Sequence, residues 1–124
     1  MDATLQSKTA TEIGKLLYEH KGGEVVVMDM RPLDFWTDFF IIATVTSNTH
    51  LSGLERHIKE FAGERELEIL RFSRKPESSN ADEWRLVELP GMVIHLMAAK
   101  TRSFFELERL WNAAPIIYQS EVKG

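Results

Sequence analysis

Cysteine and long apolar runs are both missing from this chain of 124 residues. Without cysteine the protein has no disulfide, no catalytic thiol and no cysteine-bound zinc, and such a composition suits the cytoplasm. The longest apolar run, residues 39–43, has the length of one buried strand, whereas a membrane span needs about 18 residues. The first residues, MDAT, bring an acid at once, so we expect neither a signal peptide nor a transit peptide. We therefore expect a cytoplasmic protein without a membrane segment.

The motifs of several enzyme classes are missing as well. The sequence has no Gly-rich phosphate loop, no G-x-S-x-G elbow and no H-E-x-x-H pair. His50 and His57 lie two turns apart on a predicted helix, a rise of about 10 Å, which is too far to share one metal ion. We therefore expect no metal, no cofactor and no catalytic residue. The alternative is a nucleotidyltransferase-like enzyme that holds metal ions with Asp29 and Asp38, near the ends of the first two predicted strands.

The net charge of the chain indicates which class of macromolecule it binds. The chain carries a net charge of −4, whereas proteins that bind nucleic acid through its phosphates need a basic face. A basic protein suits an acidic chain better, because opposite potentials steer the encounter. The densest basic cluster holds Arg71, Arg74 and Lys75, and it is a candidate for a minor contact with RNA. Three charges give little affinity of this kind, so a solvated loop is the favoured interpretation of this cluster.

Apolar spacing predicts the order helix, two strands, helix, three strands, helix. A stripe with helical spacing runs from Leu51 to Ala62, behind N-cap candidates at residues 47–49. Residues 24–28 hold three consecutive valines, and residues 39–44 form a continuous aromatic and β-branched run; both are of the kind found in buried strands. Strands that alternate with helices indicate an α/β layered fold. Since 44% of the residues are hydrophobic, we predict one domain over residues 1–124, with a mixed sheet of about five strands flanked by helices.

The C-terminal part is predicted to be a helix and a tail. Residues 103–106 have the form of a capping box, and Phe104, Leu107 and Trp111 share a helix face behind it. Pro115 ends this helix. We expect residues 113–124 to be a partly flexible tail.

A β-hairpin is predicted where residues 84–89 and 92–97 flank Pro90-Gly91, a strong turn signal. Counting outward from a two-residue turn gives the pairs Leu89 with Met92, Glu88 with Val93, Leu86 with His95, and Trp84 with Met97. The last three pairs share one side of the hairpin, which we call the hairpin face. Apolar anchors beside a few polar groups are typical of a protein-binding hot spot. The alternative is that this face packs under a helix and that Glu88, a diagonal neighbour, satisfies His95.

Four blocks of sequence carry a family resemblance. Residues 38–50, DFFIIATVTSNTH, are similar to the pattern D-[FY]-F-V-I-A-T-G-T-S-x-R-H. Glu77 stands seven residues before Trp84, as in E-G-x5-W. Residues 84–95 match W-V-L-L-D-Y-G-D-V-I-V-H, and residues 102–111 match R-x-F-Y-D-L-E-R-L-W. In this order and spacing the blocks are specific to the RsfS/Iojap family of ribosomal silencing factors, which the chain resembles.

The resemblance implies a fold related to nucleotidyltransferases but without their activity. It also implies binding to the large ribosomal subunit through a basic ribosomal protein on the intersubunit face. Bound there, the protein would block joining of the small subunit and repress translation, and free family members often form homodimers. Together with the hairpin face, positions within the four blocks give the predicted partner-binding residues Glu77, Trp84, Glu88, Leu89, His95, Met97, Arg102 and Phe105.

The chain departs from the family pattern at several positions. Val45 replaces a glycine, Thr49 an arginine and Ser78 a glycine, while Glu88 stands for aspartate. Residues 89–91, Leu-Pro-Gly, stand where tyrosine, glycine and aspartate are usual. The last change removes an aromatic ring and an acid near the predicted docking surface, so we expect the contacts there to differ from those of the family. A dimeric scaffold with another protein partner is a third hypothesis.

Overall fold

The fold is taken from a computed structural model, which describes residues 3–74, 84–105, 109 and 113–120. Within these ranges, three α-helices, one 3₁₀ turn and six strands follow one another in the order α1 (Ala3–Glu19), β1 (Gly23–Asp29), the 3₁₀ turn (Arg31–Leu33), β2 (Phe39–Val45), α2 (Asn48–Glu64), β3 (Arg71–Arg74), β4 (Trp84–Leu89), β5 (Met92–Ala98), α3 (Ala99–Phe105) and β6 (Ile116–Gln119).

All six strands belong to one sheet, in the spatial order β3-β4-β5-β2-β1-β6. β2 and β5 run parallel, and every other neighbouring pair is antiparallel. The crossover that a parallel pair needs contains α2 and the two strands before β5. The prediction of an α/β fold with a mixed sheet is therefore confirmed, and β2 lies near its centre as its continuous apolar run predicted.

Helices α1 and α2 cover one face of the sheet, which we call the helix side. The apolar stripe of α2 is buried at Leu51, Leu54, Ile58 and Ala62. These side chains join those of α1 and alternate residues of the strands in the larger of two apolar clusters. At the N-terminus of α2, the Ser47 hydroxyl accepts a hydrogen bond from the backbone N–H of His50 at 3.0 Å, which confirms the predicted cap.

The opposite face of the sheet carries a second, smaller cluster. It is built from the alternate side chains of β1, β2 and β5, and its fully buried members include Met28, Met30, Ile42 and Met97. Alternation along the strands separates the two clusters, because neighbouring residues point to opposite faces. Both faces of the central strand are therefore apolar and covered.

The sixth strand was not predicted. β6 pairs with β1 at the edge of the sheet, within the segment that the sequence analysis assigned to a tail. Backbone bonds fix both of its ends: Asp29 N–H donates to the Pro115 carbonyl at 2.8 Å, and Ser120 N–H donates to the Val25 carbonyl at 2.9 Å. A four-residue edge strand gives no sequence period of its own, so only the pairing with β1 reveals it.

The predicted start of the last helix was wrong. α3 begins at Ala99, four residues before the apparent capping box, so that Ser103 lies within the helix. Arg102 in its first turns is buried and donates to the Thr44 hydroxyl at 2.9 Å and to the Gly23 carbonyl at 3.2 Å. These bonds tie α3 to β1 and β2, and tertiary contacts of this kind are invisible to a local motif.

Candidate partner-docking face

The hairpin has the predicted register. β4 and β5 pair Trp84 with Met97, Leu86 with His95, Glu88 with Val93, and Leu89 with Met92. Gly91 takes a φ of +78° in the turn, a conformation that glycine adopts without strain. The Gly91 carbonyl also accepts from the backbone N–H groups of Asp38 and Phe39, at 3.2 and 3.1 Å. The turn therefore fixes the start of β2 beside the hairpin.

Much of the hairpin face is buried. Met97, Val93 and His95 are between 0 and 6% exposed, so the β5 side of this face lies inside the protein. On β4, by contrast, Trp84, Leu86 and Glu88 are each partly exposed, whereas the residues between them are buried. Among the described residues of the hairpin face, only the β4 row is therefore accessible to a partner.

His95 is bonded to Trp84 rather than to Glu88. The indole N–H of Trp84 donates to Nδ1 of His95 at 3.3 Å, while the Glu88 carboxylate lies 3.7 Å from Nε of Arg71. Because Nδ1 accepts, the proton of the neutral ring is on Nε2. That atom is buried and has no hydrogen-bond partner among the described residues. An unsatisfied buried donor costs about 1–3 kcal/mol of stability.

Burial also decides the charge of His95. Desolvation lowers the pKa of this imidazole from 6.5 to about 4. The ring is therefore neutral at physiological pH, which keeps Nδ1 available as an acceptor for the Trp84 indole.

A row of ring contacts crosses this side of the sheet. Starting from Trp84, the ring centroids of Trp84 and His95 are 6.1 Å apart, and those of His95 and Phe40 are 4.6 Å apart. Phe40 then meets Phe35 at 5.4 Å edge-on, and Phe35 lies 5.5 Å from Trp36. Spacings of this size are those of favourable aromatic pairs. The row joins two partly or largely exposed tryptophans through a buried centre.

Sequence reasoning missed the second end of this row. Trp36 is 66% exposed, more than any other large hydrophobic residue that the structure describes. Leu33 and Phe35 are partly buried against the smaller cluster, as are Trp84 and Leu86. An adjacent Phe-Trp pair within a polar connection between two strands is the signal that would have drawn attention to this loop. We define the aromatic face as the accessible surface formed by Leu33, Phe35, Trp36, Trp84, Leu86 and Glu88.

The other predicted partner-binding residues lie elsewhere. Leu89 is 2% exposed and belongs to the cluster on the helix side, so the departure from the family pattern at this residue does not touch the aromatic face. Arg102 is buried in its bonds to β1 and β2. The backbone of Phe105 belongs to α3, whereas its side chain, like the whole of Glu77, lies outside the described part of the structure.

The two acids of the alternative enzyme hypothesis differ in their surroundings. Both oxygens of Asp29 accept from the guanidinium of Arg31, at 2.9 and 2.7 Å, and one of them also accepts from the Arg31 backbone N–H. These hydrogen bonds hold the pKa of Asp29 below its ordinary value. Asp38 adds its negative charge to the surroundings of the same guanidinium. A cation from the chain itself therefore occupies the position that a metal would take at Asp29, and the arrangement gives no support to the enzyme hypothesis.

Within the described residues, no group of three or more histidine, aspartate or glutamate side chains is placed to hold a metal ion. In the same part of the chain, no helix has the length and hydropathy required to span a membrane.

These observations define a small α/β domain whose accessible aromatic surface is suited to binding another protein. A family model described as "Ribosomal silencing factor during starvation" matches residues 3–124, and the chain belongs to this family. The resemblance inferred from the four sequence blocks is thereby confirmed.

Individual relatives agree with the family assignment. The chain is 30% identical over 103 residues to the ribosomal silencing factor RsfS of Treponema pallidum, covering 83% of this chain and 89% of the relative. It is 32% identical over 124 residues to the mouse protein named "Mitochondrial assembly of ribosomal large subunit protein 1", covering 90% of this chain and 52% of that protein. The chain thus spans about half the length of the organellar relatives that it matches.

A solved structure shows the same fold. A crystal structure of a protein from Chromobacterium violaceum superposes with a TM-score of 0.72 at 23% identity, covering 90% of this chain and 88% of the other.

Proposed function

We propose that this protein is a ribosomal silencing factor that docks through its aromatic face on a basic protein of the large ribosomal subunit. Seated on the intersubunit side, it blocks joining of the small subunit and so represses translation. Membership of this family is the reason for proposing the ribosome as the target. The observation that carries the choice of surface is the pair of accessible tryptophans, Trp36 and Trp84, at the two ends of one aromatic row.

The chemistry of the aromatic face suits such a partner. Tryptophan is the residue type most enriched among those that dominate binding energy, and the two tryptophans are surrounded by further apolar side chains. Glu88 provides a carboxylate at the margin, and the whole chain is acidic with a net charge of −4. A basic protein surface with an apolar centre matches this pattern of charge.

Direct contact with ribosomal RNA has a smaller part in this proposal. Of the predicted basic cluster, only the side chain of Arg71 lies in the described structure, and it is 69% exposed beside Glu88. One such cation gives little of the affinity that proteins gain by displacing counterions from phosphates. We propose protein–protein contact as the main source of affinity, with RNA contact minor.

Two further expectations belong to the same proposal. The free protein forms a homodimer, as the resemblance implies, and it works in the cytoplasm together with the ribosomes that it regulates. Sedimentation equilibrium of the free protein tests the first expectation, and fractionation of the source cells tests the second.

Co-sedimentation with purified subunits tests the docking proposal. We expect the protein to pellet with the large subunit and to reduce the yield of joined ribosomes when small subunits are added. Trp84→Ala is expected to weaken binding by about 2 kcal/mol, roughly 30-fold, if Trp84 is a dominant contact. Tyr18→Ala is the matched control, because Tyr18 is a 45% exposed aromatic residue on α1, across the sheet from the aromatic face.

The proposal has clear ways to fail. Pelleting with neither subunit, or only with the small one, would overturn the ribosomal function. Normal binding by a folded Trp84→Ala variant, together with weak binding by Tyr18→Ala, would move the docking surface to the helix side.

A further inference from the structure

At the position of His95, an apolar side chain would stabilise the fold more than the imidazole does. His95 is 6% exposed, and its ring rests edge-on against Phe40 beside the smaller apolar cluster. Its Nε2–H is a buried donor without a partner among the described residues. Unsatisfied buried donors destabilise the folded state, so the stability of the core does not account for histidine at this position.

What the ring does provide is an acceptor for Trp84. Nδ1 receives the indole N–H at 3.3 Å, and it does so only because the ring is neutral and its single proton is on the other nitrogen. The unpartnered Nε2–H is thus a direct consequence of using Nδ1 as an acceptor. Such a cost is tolerated where a side chain serves function rather than stability.

The hydrogen bond from Trp84 restricts the conformation of a side chain that is proposed to contact the partner. Trp84 is the first residue of β4, and its ring is only partly buried. A contact residue that is already fixed loses less entropy when a partner binds. A fixed indole therefore binds more tightly than a mobile one with the same contacts.

We propose that His95 is a positioning residue. Its Nδ1 holds the Trp84 indole in the conformation that docks, and His95 does not itself touch the partner. This inference rests on the proposed function and deepens it. It reassigns His95 from a contact residue, as the sequence analysis had it, to a residue that acts through its neighbour.

Two substitutions of His95 separate positioning from direct contact. Asparagine places its amide oxygen close to where Nδ1 stands, so His95→Asn keeps an acceptor for the indole but removes Nε2–H. His95→Leu removes both. We expect His95→Leu to weaken binding of the large subunit about tenfold and His95→Asn to stay within about threefold of the unsubstituted protein.

The indole N–H resonance gives a readout that does not depend on the ribosome. In ¹⁵N-labelled protein, the Trp84 signal, assigned by its loss in Trp84→Phe, is expected to be shifted by its bond to Nδ1. That shift should disappear in His95→Leu and largely persist in His95→Asn. If the shift is absent from the unsubstituted protein, His95 does not hold Trp84, whatever the binding assay shows.

The affinities of the His95 variants for the large subunit then test whether His95 acts through Trp84. Equal affinity of His95→Leu and the unsubstituted protein would overturn the inference, and so would His95→Asn binding as weakly as His95→Leu, because Nε2–H would then be the contacting group. If His95→Leu fails to fold, the test passes to His95→Phe, which keeps a planar ring of similar size without an acceptor and should show the same loss of affinity and of the indole shift. Failure of the unsubstituted protein to bind large subunits would refute the proposed function alone, since the resonance still reports on the hold.

Discussion

Arg85 of β4 and Glu55 of α2 form an ion pair between the sheet and a helix, with side chains only 6% and 12% exposed. Arg85 lies on the helix side of β4, between the partly exposed Trp84 and Leu86 of the aromatic face. The ion pair holds α2 against the strand that carries the accessible residues Trp84, Leu86 and Glu88.

Breaking this ion pair should destabilise the protein strongly. Removing one member leaves the other charge buried, which typically costs about 3–5 kcal/mol. We expect the lower end of that range for Glu55→Ala, because removing the Glu55 side chain lets water reach the Arg85 guanidinium. Urea titration measures the loss. The double variant Arg85→Val with Glu55→Leu should recover most of the loss, since two apolar side chains of fitting volume often replace a buried pair without cost. A double variant no more stable than Glu55→Ala would contradict this account.

The pH dependence of stability should contain a contribution from His95. Its pKa is lowered from 6.5 to about 4 in the folded state, so between these values the unfolded chain binds a proton that the folded chain does not. Stability therefore rises with pH through this window and is lost as the pH falls from about 6.5 to about 4, by about 3 kcal/mol in total.

The variant His95→Leu isolates this contribution. Free energies of unfolding measured by urea titration from pH 7.5 to 4 should fall less steeply for the variant than for the unsubstituted protein. Asp29 and Glu12, whose pKa values are lowered by Arg31 and Arg65, lose their contributions at lower pH and do so in both proteins. Parallel profiles for the two proteins would show that His95 titrates normally in the fold.

The hairpin shows how much the sequence could predict. A two-residue turn and the alternation of strand side chains sufficed for the register, and the same alternation places Leu89 opposite Glu88, on the helix side. Leu89 was included among the docking residues only through the family resemblance. The partner of His95 was not predictable, because register gives the neighbours of a side chain but not the rotamer that selects one of them.

The aromatic face illustrates a second limit. Trp36 lies in a connection with no period, and its exposure depends on how the loop folds over Phe40. The pattern of one segment cannot show whether a loop aromatic is buried under a neighbouring element or left accessible. The buried bonds of Arg102 were missed for the same reason, since they join residues that are far apart in sequence.

Gly91 should tolerate substitution much less well than a glycine in α2. Its φ of +78° strains any other residue, and an added Cβ would overlap the amide nitrogen of Gln6. The Gln6 amide is the far end of a flexible side chain and can move, so we expect Gly91→Ala to cost about 1–2 kcal/mol, mainly from the backbone. Thermal unfolding monitored by circular dichroism measures the loss.

Gly53→Ala is the matched control for this prediction. Gly53 lies inside α2, and an added Cβ there would meet nothing within 4 Å. Alanine is favoured over glycine in a helix by about 1 kcal/mol, so this variant should unfold at a higher temperature than the unsubstituted protein. Equal losses in both variants would show that the turn conformation of Gly91 is not what limits substitution.

Trp36→Ala should separate binding from stability more cleanly than any change at Trp84. Because the Trp36 side chain is 66% exposed, its removal should change the free energy of unfolding by less than about 1 kcal/mol. If the aromatic face docks on the large subunit, the same change should weaken binding about tenfold or more, since exposed tryptophans at the centre of an interface dominate its affinity. The dissociation constant for labelled protein and purified large subunits gives the result, with Tyr18→Ala as control. Unchanged affinity in Trp36→Ala, alongside a loss in Trp84→Ala, would restrict the docking surface to β4 and exclude the loop between β1 and β2.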